Sequence, residues 1–322
     1  MSAAALNELA EDSEALRARV CEIRAADRRI ILVPTMGDLH EGHLSLMRAG
    51  GTLGHVVVSI FVNPTQFGPG EDFESYPRDL EADRAKLASL GIPHTVYAPP
   101  TSEIYDPDST TWVTVEGLGD PLCGRHRPGH FRGVTTVLAK LFALVEPDAA
   151  VFGEKDAQQC LIVQRMVRDL RLPLRLVFAP TVREDDGLAM SSRNRYLGDA
   201  ERRLATRLHA ALWAAQRLLS SGVRTVGVIE AAIRTELSAV DIDYAELRSL
   251  PGLEHPRQAD GHVLVAVAAR VGKARLIDNL SLQLQPGSAE IVPLADEATA
   301  ASVAAQFARG ASHRKVEHGG SS

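Results

Sequence analysis

Apolar and polar positions fall into blocks of two different periods along the first half of the chain. Residues 6–26 carry apolar side chains at helical spacing among many charges and predict a surface helix. Residues 30–34 are continuously apolar, and residues 56–62 form a β-branched run of the kind that a parallel sheet buries on both faces. A helix is predicted over 79–90, closed by Gly91, and strands over 94–98 and 110–115. Helical spacing returns at 134–145 and stops at Glu146-Pro147. Strand, helix and strand follow at 149–153, 157–170 and 174–179. This alternation predicts an α/β fold with a Rossmann-like parallel sheet. Residues 180–187 are rich in turn formers and mark a boundary. Beyond it, helices at 200–220 and 226–239 and strands at 241–247, 262–268 and 273–279 predict a second, smaller α+β C-terminal domain. The remainder has polar, Gly/Ser-rich ends and one amphipathic stretch near 294–308, and reads as a largely flexible tail. The expected layout is 1–181, 182–285 and 286–322.

Composition narrows the classes. The chain has 322 residues, 45% hydrophobic and 24% charged, with a net charge of −6, so a polyanion such as nucleic acid is not an expected partner. Cys21, Cys123 and Cys160 are widely spaced without a Cys-x-x-Cys pair, which fits a reducing compartment. The first twenty residues carry acids early and no apolar core, so no signal peptide is expected, and no run is long enough to span a membrane. A cytoplasmic location is expected.

The chemistry gathers at strand ends. The first apolar run leads into Val-Pro-Thr-Met-Gly-Asp-Leu-His-Glu-Gly-His, which puts His40 and His43 at the start of a helix. Helix N-termini have unpartnered N–H groups and favour anions, so two imidazoles there suit a nucleotide α-phosphate under attack. Metal ligation is the other reading, although a zinc-protease helix wants His-Glu-x-x-His at i, i+4. Asn63 and Gln66 follow the second strand, where open α/β sheets bind ligands. Residues 121–132 form a glycine- and cation-rich loop, either a solvated basic turn or a seat for an anion. Lys155 offers a point charge, Asp156 a helix cap or a contact to a ribose hydroxyl, and Gln159 lies one turn on. Met190, Ser191, Ser192 and Arg193 make a short loop suited to clamping a polyphosphate.

Taken together, PTMGDLHEGH, FVNPTQF, RPGHFRGV, FGEKDAQQ and AMSSRNRYL, in this order, closely resemble the pantothenate synthetase (pantoate–β-alanine ligase) family over about residues 30–280. The His-x-Gly-His stretch is similar to that of the wider nucleotidylyltransferase superfamily. Met190–Arg193 resembles its mobile KMSKS-type loop, with Ala189 where a lysine would stand. The resemblance implies that ATP activates pantoate to pantoyl adenylate with release of pyrophosphate. β-Alanine then attacks, giving pantothenate and AMP, with Mg²⁺ required and a homodimer formed through the Rossmann-like domain. It implies catalytic roles for His43, His40 and Lys155, with His43 as proton donor. ATP contacts would come from Pro34, Thr35, Met36, Gly37, His40, His43, Gly153, Lys155, Asp156, the Val182 backbone, Met190, Ser191, Ser192 and Arg193. Pantoate and β-alanine would lie against Gln66 and Gln159, with Met36 as an apolar wall and Asn63 beside them. Asp83 would be the Mg²⁺ ligand, with Ala82 where the family has a second acid. Thr65, Ala157 and Cys160 also depart from the usual pattern. Two rivals remain: a nucleotidylyltransferase acting on another small substrate, and a non-catalytic nucleotide sensor.

Overall fold

Ten strands form two sheets in the computed structural model, which describes residues 7–295 and 298–317, with side chains as far as 308. The first sheet holds β1 (Asn7–Ala10), β2 (Ile30–Thr35), β3 (His55–Ile60), β4 (His94–Tyr97), β5 (Ala149–Gly153) and β6 (Arg175–Ala179). Its order is β1-β4-β3-β2-β5-β6, and every pairing is parallel. After β1 at the edge, the chain crosses to β2 near the centre, steps outward to β3 and β4, then returns to the other side of β2 for β5 and β6. β2 and β5 therefore part at a topological switch point, where the carboxyl ends of neighbouring strands open a crevice.

The helices of this half are α1 (Ser13–Ala25), α2 (Glu41–Gly51), α3 (Leu80–Ala88), the single turns α4 (Thr101–Ile104) and α5 (Cys123–His126), α6 (His130–Val145) and α7 (Ala157–Asp169). The apolar runs of β2 and β3 feed two cores because successive side chains point to opposite faces. Ile30, Leu32 and Val57 join Leu16 and Val20 of α1 and Leu138 of α6. Ile31, Val33, Val56 and Val58 meet Leu46 and Met47 of α2. Each such side chain contributes about 1.5–3 kcal/mol by leaving water.

The second half has α8 (Asp199–Ala205), α9 (Arg207–Ser220) and α10 (Val226–Glu236) packed on an antiparallel sheet of β7 (Asp241–Ser249), β8 (His262–Val271), β9 (Ala274–Gln285) and β10 (Ser288–Ile291). The last element is α11 (Ala300–Glu317). Among the described residues no helix is long and apolar enough to cross a membrane.

Four expectations need correction. Residues 6–26 are not one helix: Asn7–Ala10 pair with β4, and Asp12 starts α1 by accepting from the Ala15 N–H at 2.7 Å. Residues 110–115 form no strand, since the Thr135 and Thr136 hydroxyls of α6 take the Val113 carbonyl and N–H at 2.6 and 3.0 Å. The helix expected over 200–220 is two helices, α8 and α9, parting at Thr206. Residues 296, 297 and 318–322 lie outside the described residues, and the described part of the segment after residue 285 is not a loose tail, because β10 pairs with β9 and Leu294, Ala298 and Val303 are buried. Their apolar character outweighs the polar ends that suggested flexibility.

Candidate active site

A cleft of about 250 Å³ opens at the switch point, between the ends of β2, β3 and β5 and the second half of the chain. It is lined by Pro34, Thr35, Met36, His40, His43, Asn63, Gln66, Gly153, Lys155, Asp156, Gln159, Val182, Met190, Ser191, Ser192 and Arg193. Of the expected site residues, Gly37 and Asp83 lie outside this lining.

The two histidines cap α2 with their own rings. His40 is the N-cap, and its Nδ1 accepts the Gly42 N–H at 3.2 Å. His43, on the first turn, reaches back so that its Nδ1 accepts the His40 N–H at 3.3 Å. This is a capping box in which imidazoles take the places usual for Ser/Thr and Glu/Gln. The intervening glycine is required sterically: a Cβ on Gly42 would stand 2.9 Å from the His40 ring. The rings lie 4.1 Å apart, centre to centre. Burial, reinforced by the Lys155 and Lys86 charges, lowers the His40 pKa to about 4. Burial, His40 and Lys155 hold His43 well below its ordinary value. Both rings are therefore neutral at pH 7. Since each Nδ1 accepts a backbone N–H, the single ring proton sits on Nε2. The turn presents two Nε2–H donors at the cleft.

Asp83 braces this turn from behind. It is buried, and its two oxygens accept the N–H groups of Asp38 and Leu39 at 2.8 Å each. The expected Mg²⁺ role is corrected on that ground, because both oxygens already serve the backbone and the residue does not face the cleft.

The facing wall is the end of β5. Asn279 of β9 donates to the carbonyls of Glu154 and Lys155 at 3.0 and 2.9 Å, tying this turn to the second sheet. Asp156 makes no side-chain cap bond to α7 and lines the cleft, so the capping reading falls away. The adjacent glutamines divide their work. Gln158 is buried, accepting from the Cys123 N–H and donating to the Leu118 and Pro121 carbonyls, whereas Gln159 lines the cleft.

Gln66 is set by its neighbours. Asn63 is buried and its Oδ1 accepts the hydroxyls of Thr65 at 2.9 Å and Tyr105 at 3.0 Å. Its Nδ2 then donates to Gln66 Oε1 at 3.0 Å and to the Gly133 carbonyl at 3.2 Å. A side chain at position 133 would collide with the Thr65 carbonyl at 2.4 Å, which accounts for the glycine in RPGHFRGV. With Oε1 engaged, Gln66 presents its NH₂ beside Met36, whose sulfur lies 3.1 Å from Nε2. Asn63 is thus a buried support for Gln66 that also lines the cleft.

The glycine- and cation-rich loop is solvated at Arg125, His126 and Arg132, while Arg127 and His130 turn inward. Arg127 holds Glu71 through two bonds of 2.7 and 2.6 Å. Burial works against the Glu71 charge, but the Arg127 bond and charge bring its pKa to about 2. His130 Nδ1 lies 2.8 Å from the Gln66 carbonyl, and its Nε2 faces Arg127 at 3.0 Å. Burial and the Arg127 charge lower its pKa to about 4.

The Ser-Ser-Arg loop sits over the cleft with its charges engaged. Ser192 donates to the Asp38 carbonyl at 3.1 Å, and Arg195 pairs with the Asp38 carboxylate at 2.5 Å. Arg193 makes two bonds to Asp72, at 2.9 and 2.7 Å. The residue expected to hold a polyphosphate thus has a carboxylate partner that a phosphate must displace. Asp72, Glu71, Tyr105 and the bracing roles of Arg127 and His130 were missed from sequence. The RPGH motif pointed to the last two, while nothing local marked the acids.

A profile described as pantoate-beta-alanine ligase matches residues 8–281. The pantothenate synthetase of Moorella thermoacetica is 50% identical over 281 residues, covering 86% of this chain and 99% of that protein. That of Thermotoga neapolitana is 52% identical over 265 residues, covering 81% and 94%. Among solved structures, pantothenate synthetase from Thermus thermophilus superposes with a TM-score of 0.80 at 44% identity, over 85% of this chain and 98% of that one. The ligase from Francisella tularensis, complexed with β-γ ATP and β-alanine, gives 0.71 at 29% identity, over 85% and 97%. The fold, the cleft and these likenesses agree, and the chain belongs to the pantoate–β-alanine ligase family.

Proposed function

We propose that this cleft joins pantoate to β-alanine at the expense of ATP by way of pantoyl adenylate. The observation that carries the mechanism is the pair of neutral imidazoles, each with Nδ1 taken by a backbone N–H, that line the same cleft as Lys155. A pantoate carboxylate oxygen forms a bond to the α-phosphorus, and the bond to the pyrophosphate oxygen breaks with its electron pair. Both reactants are anionic, so the site must neutralise and align them more than it must move protons. His40 and His43 donate to the oxygens where charge builds, and the Lys155 ammonium supplies the opposing charge. Neutral imidazoles donate hydrogen bonds and keep their protons, which recasts the proton-donor role suggested for His43. The β-alanine amine, as its free base, then bonds to the acyl carbon, releases a proton and expels AMP.

The Francisella ligase was solved with an ATP analogue and β-alanine, and its likeness supports the same two ligands here. ATP would run from Pro34, Thr35 and Met36 past the histidines to Gly153, Lys155 and Asp156, with Val182 and Met190 along one side. Ser191, Ser192 and Arg193 would meet the β- and γ-phosphates, and Gly37 would serve only the turn. The Gln66 NH₂ and the Gln159 amide suit a hydroxy acid, since neutral amides bind hydroxyl and carboxylate without the cations that a phosphorylated substrate would call for. Asp156 is the sole carboxylate among the lining residues, and no cluster of three metal-ligating side chains occurs among the described residues. That fits Mg²⁺ held chiefly by phosphate oxygens with help from Asp156. The ion would supply further charge neutralisation. A homodimer, tested by light scattering, and a cytoplasmic location complete the reading.

The test supplies ATP, Mg²⁺ and pantoate, with and without β-alanine, and identifies the nucleotide product. AMP and pyrophosphate, with repeated turnover only when β-alanine is present, are expected. ADP would replace the adenylate route with an acyl phosphate.

A further inference from the structure

The chain continues beyond residue 281, where the family match ends, and this continuation crosses from one sheet to the other. β10 extends the second sheet at β9. Leu294 and Ala298 then enter the core shared with Phe152 of β5 and Leu161 of α7. α11 runs beside β6, its Val303 is buried in the core on the opposite face, and Arg29 stacks over Phe307 at 4.5 Å. Midway along the crossing, the backbone N–H of Leu294 donates to Glu154 Oε1 at 2.7 Å.

Glu154 opens the turn that carries Lys155 and Asp156 into the cleft. Its carboxyl is pushed up by burial, and the Leu294 N–H opposes that shift by bonding the charged form. A partly buried carboxylate without such a bond is costly and seeks another partner. Lys155, its neighbour, is in none of the ion pairs among the described residues. The Leu294 N–H therefore holds the Glu154 side chain, while Asn279 holds the carbonyls of the same turn.

We propose that the C-terminal segment, residues 286–295 and 298–308, is a strap that positions Lys155 and Asp156 by anchoring Glu154 through the Leu294 N–H. Glu154 and Leu294 are positioning residues and touch no substrate. The effect on turnover rests on the reading of Lys155 as an ATP-facing residue. The hold on the turn does not.

The experiment compares Leu294→Pro, which removes the N–H, with Leu294→Ala, which removes only the side chain, in the full chain. Glu154→Ala and Glu154→Gln form the matching pair, since glutamine keeps an oxygen acceptor. Steady-state kinetics are measured beside amide hydrogen exchange over residues 153–157. Leu294→Pro and Glu154→Ala should each lower kcat by roughly tenfold, the scale expected of a slightly misplaced reacting group, and should speed exchange in the turn. The pantoate KM should hold, and the two losses should not multiply in the double variant. Leu294→Ala and Glu154→Gln should stay within about twofold in kcat, even where Leu294→Ala lowers Tm through lost packing. Equal kcat and equal exchange for Leu294→Pro and Leu294→Ala would overturn the proposal. Faster exchange with unchanged kcat would overturn the positioning role as well. Full activity of Lys155→Ala would instead remove the Lys155 reading, and exchange would still report on the strap.

Discussion

The histidine turn and the Ser-Ser-Arg loop meet over one cleft, yet they are held in opposite ways. His40 and His43 are locked by bonds within four residues of sequence, each Nδ1 taking a backbone N–H of the same turn. Ser192, Arg193 and Arg195 are held by Asp38 and Asp72, partners more than a hundred residues away. The first arrangement is finished before any ligand arrives and has nothing to exchange. The second is a set of ion pairs that an incoming polyphosphate can replace. A site that must stabilise charge at one phosphorus benefits from a rigid donor pair, and a site that must admit and release a nucleotide benefits from an exchangeable clamp.

Breaking the rigid half should cost most. His43→Ala removes one preorganised donor and should lower pantoate-dependent pyrophosphate release by about 10²–10³, with far-UV circular dichroism unchanged. The pH dependence of stability tests the same burial. His40, His55 and His130 all have pKa values brought to about 4, with burial the largest cause in each. Above pH 6.5 these rings are neutral both folded and unfolded and favour neither state. Between 6.5 and 4 the unfolded chain takes up protons that the fold refuses, so stability falls with pH across that window. His55 is fully buried and by itself should contribute roughly 2 kcal/mol of that loss by pH 5, read by urea unfolding at pH 7.5, 6 and 5.

Gly42→Ala sharpens the contrast, because alanine favours the helix by about 0.5–1 kcal/mol while its Cβ presses on the His40 ring. Thermal stability should hold, while kcat drops roughly tenfold as the ring is displaced. On the exchangeable half, Asp72→Asn frees Arg193 and should change the ATP KM about threefold, downward, as expected of a weakened, partly exposed ion pair. Arg193→Ala should raise the ATP KM and leave pantoate binding intact. A pantoate KM that moved as far would place the arginine elsewhere in the mechanism.

The same division explains what could be read from sequence. Strands β2 to β6 follow from apolar runs, and the histidine turn follows from a motif whose spacing is a helix cap. The structure brings all but two of the expected residues to one cleft. Asp83 was misread because its proximity to the motif is tertiary and its task is to hold two backbone N–H groups. Asp72 and Glu71 lie in a polar loop with no periodicity, and only the fold brings them to Arg193 and Arg127. Residues 7–10 blended into a helical pattern because four residues of edge strand are too few to show a period of two. The strap was misjudged because its ends are polar, although Leu294, Ala298 and Val303 are buried at its centre.

The most direct test is nitrogen NMR of histidine-labelled protein, with His40→Asn and His43→Asn used to assign the rings. Both should remain neutral with the proton on Nε2 from pH 7.5 down to 5.5. A ring at either position that takes up a proton near pH 6.5, or that carries its proton on Nδ1, would contradict the account of the turn as a pair of fixed, neutral donors.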